Sequence, residues 1–194
     1  MVLTKTPICD FGKKAEDFKL KSVNNKFFSL NDLKGEKGTL IMFICNHCPY
    51  VKAIIEELVQ DCKQLLSDGI NSVAIMSNDT INYPEDSFEN MIKFSNDNKF
   101  DKIEYLLDQT QEVAKKYGAV CTPDFFGYNK NLELQYRGRI RELKNLKPVR
   151  EGDSDLKIAM KLVAETGKGP KDQIPSMGCN ITVSYTHLTL PTNR

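Results

Sequence analysis

The 194-residue chain predicts an α/β sandwich built on a mixed β-sheet, and three observations carry that expectation. Leu40–Ile44 is a continuous apolar run, as in strands buried on both faces, and Ile70–Met76 reads as the next buried strand. Each is followed by a segment of helical period with one apolar face. The series then closes on two strands around Asn129-Lys130-Asn131 and a final helix.

Element by element, Phe18 to Leu30 reads as two short strands joined at Asn24-Asn25. After Leu40–Ile44, a helix from Tyr50 places Val51, Ile55, Leu58, Cys62 and Leu65 on one face and ends at Gly69. Ile70–Met76 is the next strand. Ser87 caps a helix carrying Phe88, Met91, Ile92 and Phe94. Tyr105–Leu107 is a short strand, and Gln111–Tyr117 a short helix closed by Gly118. Asp124–Tyr128 and Leu132–Arg137 form the closing hairpin. Asp153 is expected to cap the last helix, with Leu156, Ile158, Ala159, Leu162 and Val163 along it and Gly167 as its stop.

Composition narrows the function. A hydrophobic fraction of 40%, a charged fraction of 27% and a net charge of +1 describe an ordinary globular chain without the basic footprint of a nucleic-acid binder. No apolar run approaches the ~20 residues that span a bilayer, and Met1–Pro7 lacks a signal-peptide core. A cytoplasmic location, with no membrane and no nucleic-acid partner, is the expectation. One domain is expected over residues 1–182. The stretch Val183–Thr192 reads as a translated sequencing adapter, so 183–194, His187 included, is set apart as a non-native tail; resequencing the source gene tests this.

Six cysteines stand at positions 9, 45, 48, 62, 121 and 179. A disulfide scaffold suits small secreted domains without a core, so this chain's thiols point to redox or metal chemistry. The densest signal is Cys45-Asn46-His47-Cys48-Pro49, set between a buried strand and a helix start. Amide N–H groups at a helix N-terminus favour an anion, and the thiolate is the reactive form of cysteine. Cys48 therefore reads as a nucleophile, and Pro49 suits the first helical turn. His47 either polarises Cys48 or is an exposed loop histidine. Cys62, on the apolar stripe of its helix, reads as core, and Cys9 as incidental.

These residues resemble the thioredoxin superfamily and, more narrowly, the peroxiredoxin-like branch of the alkyl hydroperoxide reductase/thiol-specific antioxidant family. The carrying motifs are Phe43–Val51, Ser77-Asn78-Asp79 with Asn82-Tyr83-Pro84, Tyr117–Phe126 and Pro175–Ile181, so the likeness runs from about Phe11 to Ile181. It implies a thioredoxin-like fold with an N-terminal hairpin extension, and an antioxidant thiol–disulfide oxidoreductase without a cofactor. Its substrate would be a disulfide or peroxide, and its reductant an external thiol of thioredoxin or glutathione type.

The resemblance aligns Cys48 with the first thioredoxin cysteine and the peroxidatic cysteine. Val51 stands where thioredoxin has its second cysteine, and Thr122-Pro123 matches the family's Thr and cis-proline. Cys45 and Ile41 stand where a peroxiredoxin has Thr and Pro, no arginine lies near Thr122-Pro123, and Met42 replaces a buried thioredoxin Asp. With the peroxide-polarising donors absent, disulfide exchange ranks before peroxide reduction, a weak thiol peroxidase being the alternative. Cys45, Cys121 and Cys179 are the candidates to resolve an oxidised Cys48, each with a plain core role as the other reading. From a different class, Cys45, Cys48 and His47 are soft and borderline metal ligands, although only three are local. The run Arg137, Arg139, Arg141, Lys144, Lys147, Arg150 is either a solvated loop or a patch for an acidic partner. Tyr83-Pro84 and Asp86-Ser87 read as turn and helix start.

Overall fold

A computed structural model describes residues 3–7 and 10–182. Cys9 and the suspected tail, 183–194, lie outside the described residues. In chain order the elements are β1 Leu3–Lys5, β2 Lys19–Ser22, β3 Phe27–Ser29, α1 Leu30–Leu33, β4 Gly38–Phe43 and α2 Pro49–Ser67. They continue with β5 Ile70–Met76, a 3₁₀ turn Pro84–Asp86, α3 Phe88–Asp97, β6 Ile103–Leu107 and α4 Glu112–Tyr117. The remainder is β7 Cys121–Thr122, β8 Asp124–Asn129, β9 Leu134–Tyr136, β10 Leu143–Lys144, β11 Lys147–Pro148, α5 Asp155–Thr166 and β12 Met177–Asn180.

A seven-stranded mixed sheet runs β3-β2-β6-β5-β4-β8-β9. β4, β5 and β6 are parallel neighbours, while β8 pairs antiparallel with β4. Central β4 explains its own sequence: Leu40 and Met42 pack under α2 and α5, whereas Ile41 and Phe43 pack under α1 and α4. Burial on both faces explains the apolar run from Leu40 to Phe43; Thr39, also buried, has its hydroxyl oxygen accepting from Gly35 N. The α2 stripe of Val51, Ile55, Leu58, Cys62 and Leu65 is buried as the spacing predicts, and Cys62 is core.

Two expectations shift. Ser154, not Asp153, caps α5: its Oγ accepts from Lys157 N at 2.9 Å, while Asp153 pairs with Lys157 one turn on. Ser is the better cap here because its hydroxyl sits at N-cap with extended backbone, leaving Asp153 outside the helix as a charge partner. Ile158 stays exposed. A second sheet, β1-β12-β7, joins both ends of the described chain, and a small β10–β11 hairpin follows β9.

Most of the basic run's arginines are committed to carboxylates within the molecule. Arg137 is buried against Asp124, Arg139 and Arg150 both reach Asp155, and Arg141 is buried against Glu57. Lys144 and Lys147, on the β10–β11 hairpin, stay exposed with Arg150, so the run is partly solvated and is not one free patch.

Candidate active site

Where β4 ends, the sheet still holds the chain for one more residue: Ile44 N donates to Ile75 O at 3.0 Å. Cys45-Asn46-His47 then turns, and Cys48 takes the N-cap of α2 with Pro49 at N1. Pro needs no N–H there and its φ is already helical, so the sequence sets the helix start where the sulfur sits. Both Cys45 and Cys48 are fully buried.

Three elements meet at the Cys48 sulfur. Cys45 comes from the end of β4, Thr122 from β7 before the cis Thr122–Pro123 bond, and Cys179 from β12. Cys45 Sγ lies 3.4 Å from Thr122 Oγ1, and Cys48 Sγ lies 3.1 Å from Thr122 O. The Cys48 thiol is held below the ordinary thiol range, first by the Cys45 S–H donating to it. The Val51 amide, the Thr122 hydroxyl and the Cys179 thiol act the same way, against burial. One contact opposes them: a protonated Cys48 donates to the Thr122 carbonyl, a bond its thiolate forgoes. Cys45 keeps its proton correspondingly tightly, because it serves Cys48, is buried, and lies near the Asp86 carboxylate. Burial and the Cys48 charge push Cys179 up.

His47 is held in place. Its Nδ1 lies 2.8 Å from Asp86 Oδ2, and its ring stacks on Tyr83 at 5.3 Å. As a carboxylate, Asp86 only accepts, so Nδ1 carries the proton in this pair. Asp86 also accepts from Asn46 N and Asn78 Nδ2, both at 2.8 Å, and Tyr105 Oη donates to Asn46 Oδ1. His47 Nε2 is buried with no partner among the described residues. Tyr83 and Asp86 are therefore more than a turn and helix start: they fix the histidine beside Cys48. Sequence reading missed Asp86 because it stands 39 residues from His47, although Asn78 lay within a motif already singled out.

Of the resolving candidates, Cys45 and Cys179 are brought onto Cys48. Cys121 donates instead to Pro123 O at 3.6 Å, and burial, with Asp124, raises its pKa far above the usual thiol range. Asp124 and Arg137 brace this loop: Arg137 Nη2 reaches Asp124 Oδ2 at 3.0 Å and Gly118 O at 2.7 Å, while Asp124 Oδ2 accepts from Val120 N. A cleft of about 520 Å³ opens beside Pro123, walled by Tyr50, Ile54, Ile140, Leu143 and Met177. Cys45 Sγ, a ring nitrogen of His47 and a carboxylate oxygen of Asp86 also lie within 4.8 Å of one another, so the potential ligand cluster contains Asp86 and not the expected Cys48.

A thioredoxin-like α/β fold with a buried thiol at the N-terminus of α2 defines a redoxin-type protein. Residues 11–143 match the AhpC/TSA family, and the chain belongs to it. A crystal structure of an uncharacterized conserved protein from Geobacillus kaustophilus superposes with a TM-score of 0.90 at 38% identity, covering 96% of this chain and 98% of that one. A hypothetical protein from Sinorhizobium meliloti 1021 gives 0.86 at 34% identity, covering 93% and 99%. The peroxidoxin BcpB of Mycobacterium tuberculosis, at 16% identity, TM-score 0.54 and coverage of 64% and 81%, shares the fold. No curated protein matches. Among the described residues, no helix is long and apolar enough to cross a membrane.

Proposed function

We propose that this protein is a thiol–disulfide oxidoreductase whose nucleophile is Cys48. The observation that carries the reading is the placement of Cys48 at the N-cap of α2, with Pro49 at N1 and its sulfur 3.1 Å from Thr122 O beside the cis Thr122–Pro123 bond. The Cys48 thiolate attacks one sulfur of a substrate disulfide, forming a mixed disulfide and expelling the other as a thiolate. A neighbouring thiol then displaces the second substrate sulfur, and two equivalents of an external thiol of thioredoxin or glutathione type reduce the resulting protein disulfide. His47, its Nδ1 committed to Asp86, offers Nε2 to exchange protons with the departing thiolate. Substrate approaches along the cleft beside Pro123. A cytoplasmic antioxidant role suits this chemistry, since a reducing pool keeps the site in its thiol form.

Peroxide reduction ranks second. Arg137, Arg139 and Arg141, the first three arginines after Thr122-Pro123 in the chain, are each committed to a carboxylate. Rates with hydrogen peroxide and with a small disulfide, each compared in wild type and Cys48→Ser, test the order. Peroxide consumption faster than disulfide exchange, and lost in Cys48→Ser, reverses it; equal turnover by Cys48→Ser with both substrates refutes the nucleophile.

Cation binding is a second reading, favoured by the Cys45–His47–Asp86 cluster alone. Titration of the reduced protein with zinc decides it; no binding in competition with a chromophoric chelator removes it.

A further inference from the structure

With Cys48 taken as the nucleophile, as proposed above, we infer that Cys179 is the thiol that resolves its mixed disulfide, while Cys45 is a standing hydrogen-bond donor that stays out of the disulfide. Three geometric observations separate the two sulfurs.

Cys179 is delivered by close docking. It stands opposite Thr122 in the β12–β7 ladder, and the Thr122 carbonyl oxygen is 3.1 Å from Cys48 Sγ. Ser176 Oγ donates to Pro123 O at 2.8 Å on the same segment. Gly178 allows the approach: a Cβ there would meet Thr122 O at 2.1 Å and Thr122 C at 2.6 Å. The result sets Cys179 against Thr122, the residue whose carbonyl meets the Cys48 sulfur.

Cys45 is fixed and faces a negative charge. It follows β4, which is paired over its whole length with β5 on one side and β8 on the other. Its sulfur lies within 4.8 Å of the Asp86 carboxylate, itself fully buried. To attack, Cys45 must become a thiolate, placing a second buried anion beside Asp86. Among the described residues, no carboxylate acts on Cys179; what holds its proton is burial and the Cys48 charge. That charge vanishes when Cys48 enters a mixed disulfide, so the first step itself eases ionisation of Cys179.

The third observation is freedom to move. β12 is anchored by two short ladders, to the three residues of β1 and the two of β7. Such a strand opens locally at far lower cost than central β4, and can align its sulfur with the bond to be broken.

The step balances as follows. Cys179 Sγ, its proton passed to the thiolate expelled in the first step, attacks Cys48 Sγ. The Cys48–substrate S–S bond breaks, the Cys48–Cys179 bond forms, and the substrate leaves as a thiolate; the disulfide has been reduced by two electrons and the protein oxidised by two.

A chromogenic aryl disulfide reads both steps, because each expels one coloured thiolate. In a Cys9→Ser background the site should release two equivalents. Cys179→Ser should release one and retain the aryl group on Cys48 by mass spectrometry. Cys45→Ser, which keeps an O–H donor, should still release two. Two equivalents from Cys179→Ser, or one from Cys45→Ser, overturns the assignment. Peptide mapping of the oxidised chain with all its other cysteines intact makes the result independent of variant folding: a Cys48–Cys179 link is expected, and a Cys45–Cys48 link overturns it. If Cys48→Ser still releases two equivalents from this site, the proposed nucleophile fails instead.

Discussion

Gly178 lies against Thr122 so closely that a Cβ would come within 2.1 Å of the Thr122 carbonyl oxygen. That oxygen is also the one 3.1 Å from Cys48 Sγ. The missing methyl group at Gly178 thus lets the next residue of the same strand, Cys179, come up beside the α2 N-terminus where Cys48 sits.

Gly178→Ala should lift β12. Overpacking of this size costs about 1–3 kcal/mol, which urea unfolding measures. Alkylation of Cys179 and Cys48, both buried in the native chain, should quicken together. Unchanged protection of both thiols, read by mass spectrometry, contradicts the docking.

Cys48 should react over an unusual pH range. Its pKa is lowered, so the thiolate is present at neutral pH and alkylation slows only as the pH falls through the lowered value. An ordinary thiol would already slow below about 8.5. A pH–rate profile with iodoacetamide that breaks near the ordinary value rules this out.

Removing the Cys45 donor should move that profile upward. Hydrogen bonds to charged groups are worth about 1.5–3 kcal/mol, or about one to two pH units. Cys45→Ala should show most of this shift in thiolate ultraviolet absorbance, and Cys45→Ser less. No difference between the two variants would remove Cys45 as a donor.

Asp86→Asn should loosen His47. The buried carboxylate accepts three hydrogen bonds, from Asn46, Asn78 and His47, and weakening them should cost about 1.5–3 kcal/mol in urea unfolding. Nitrogen NMR of the imidazole should then show the proton no longer confined to Nδ1. A single Nδ1–H tautomer in the variant would mean that something other than Asp86 sets it.

Arg137→Ala should be more severe, because it leaves Asp124 buried without its guanidinium. Burial already raises this carboxyl's pKa despite Arg137. Breaking one side of a buried pair costs about 3–5 kcal/mol. Chemical denaturation should show that loss, and the loop holding Thr122 and Pro123 should lose proteolytic protection with it.

The parts of the fold legible in the sequence are those with a local period. β4 reads as an apolar run, β5 as a buried strand, α2 as a stripe, and Gly118 and Gly167 as left-handed helix stops. Asn25, at φ 66°, gives the first hairpin the left-handed residue its Asn-Asn turn suggested. β12 was not legible as a strand, since Met177-Gly178-Cys179-Asn180 has no period and pairs with residues distant in sequence, Leu3–Lys5 and Cys121–Thr122. The site divides in the same way. Cys45, His47 and Cys48 are local, but Asp86 is recruited across the chain, and no spacing rule announces it. In the basic run, charge is visible in sequence, whereas the burial of Arg137 against Asp124 and of Arg141 against Glu57 is not.

The β1-β12-β7 sheet bears on biosynthesis. Leu3 pairs with Cys179, so the first described strand waits for nearly the whole chain before it has a partner. The β4–α2 junction, by contrast, can form once its neighbours have been made. While a ribosome is still extending the chain, Cys48 therefore lacks its cover and its third thiol. The nascent protein passes through an interval in which Cys48, the proposed nucleophile, is exposed to any oxidant, and translation speed sets how long that interval lasts.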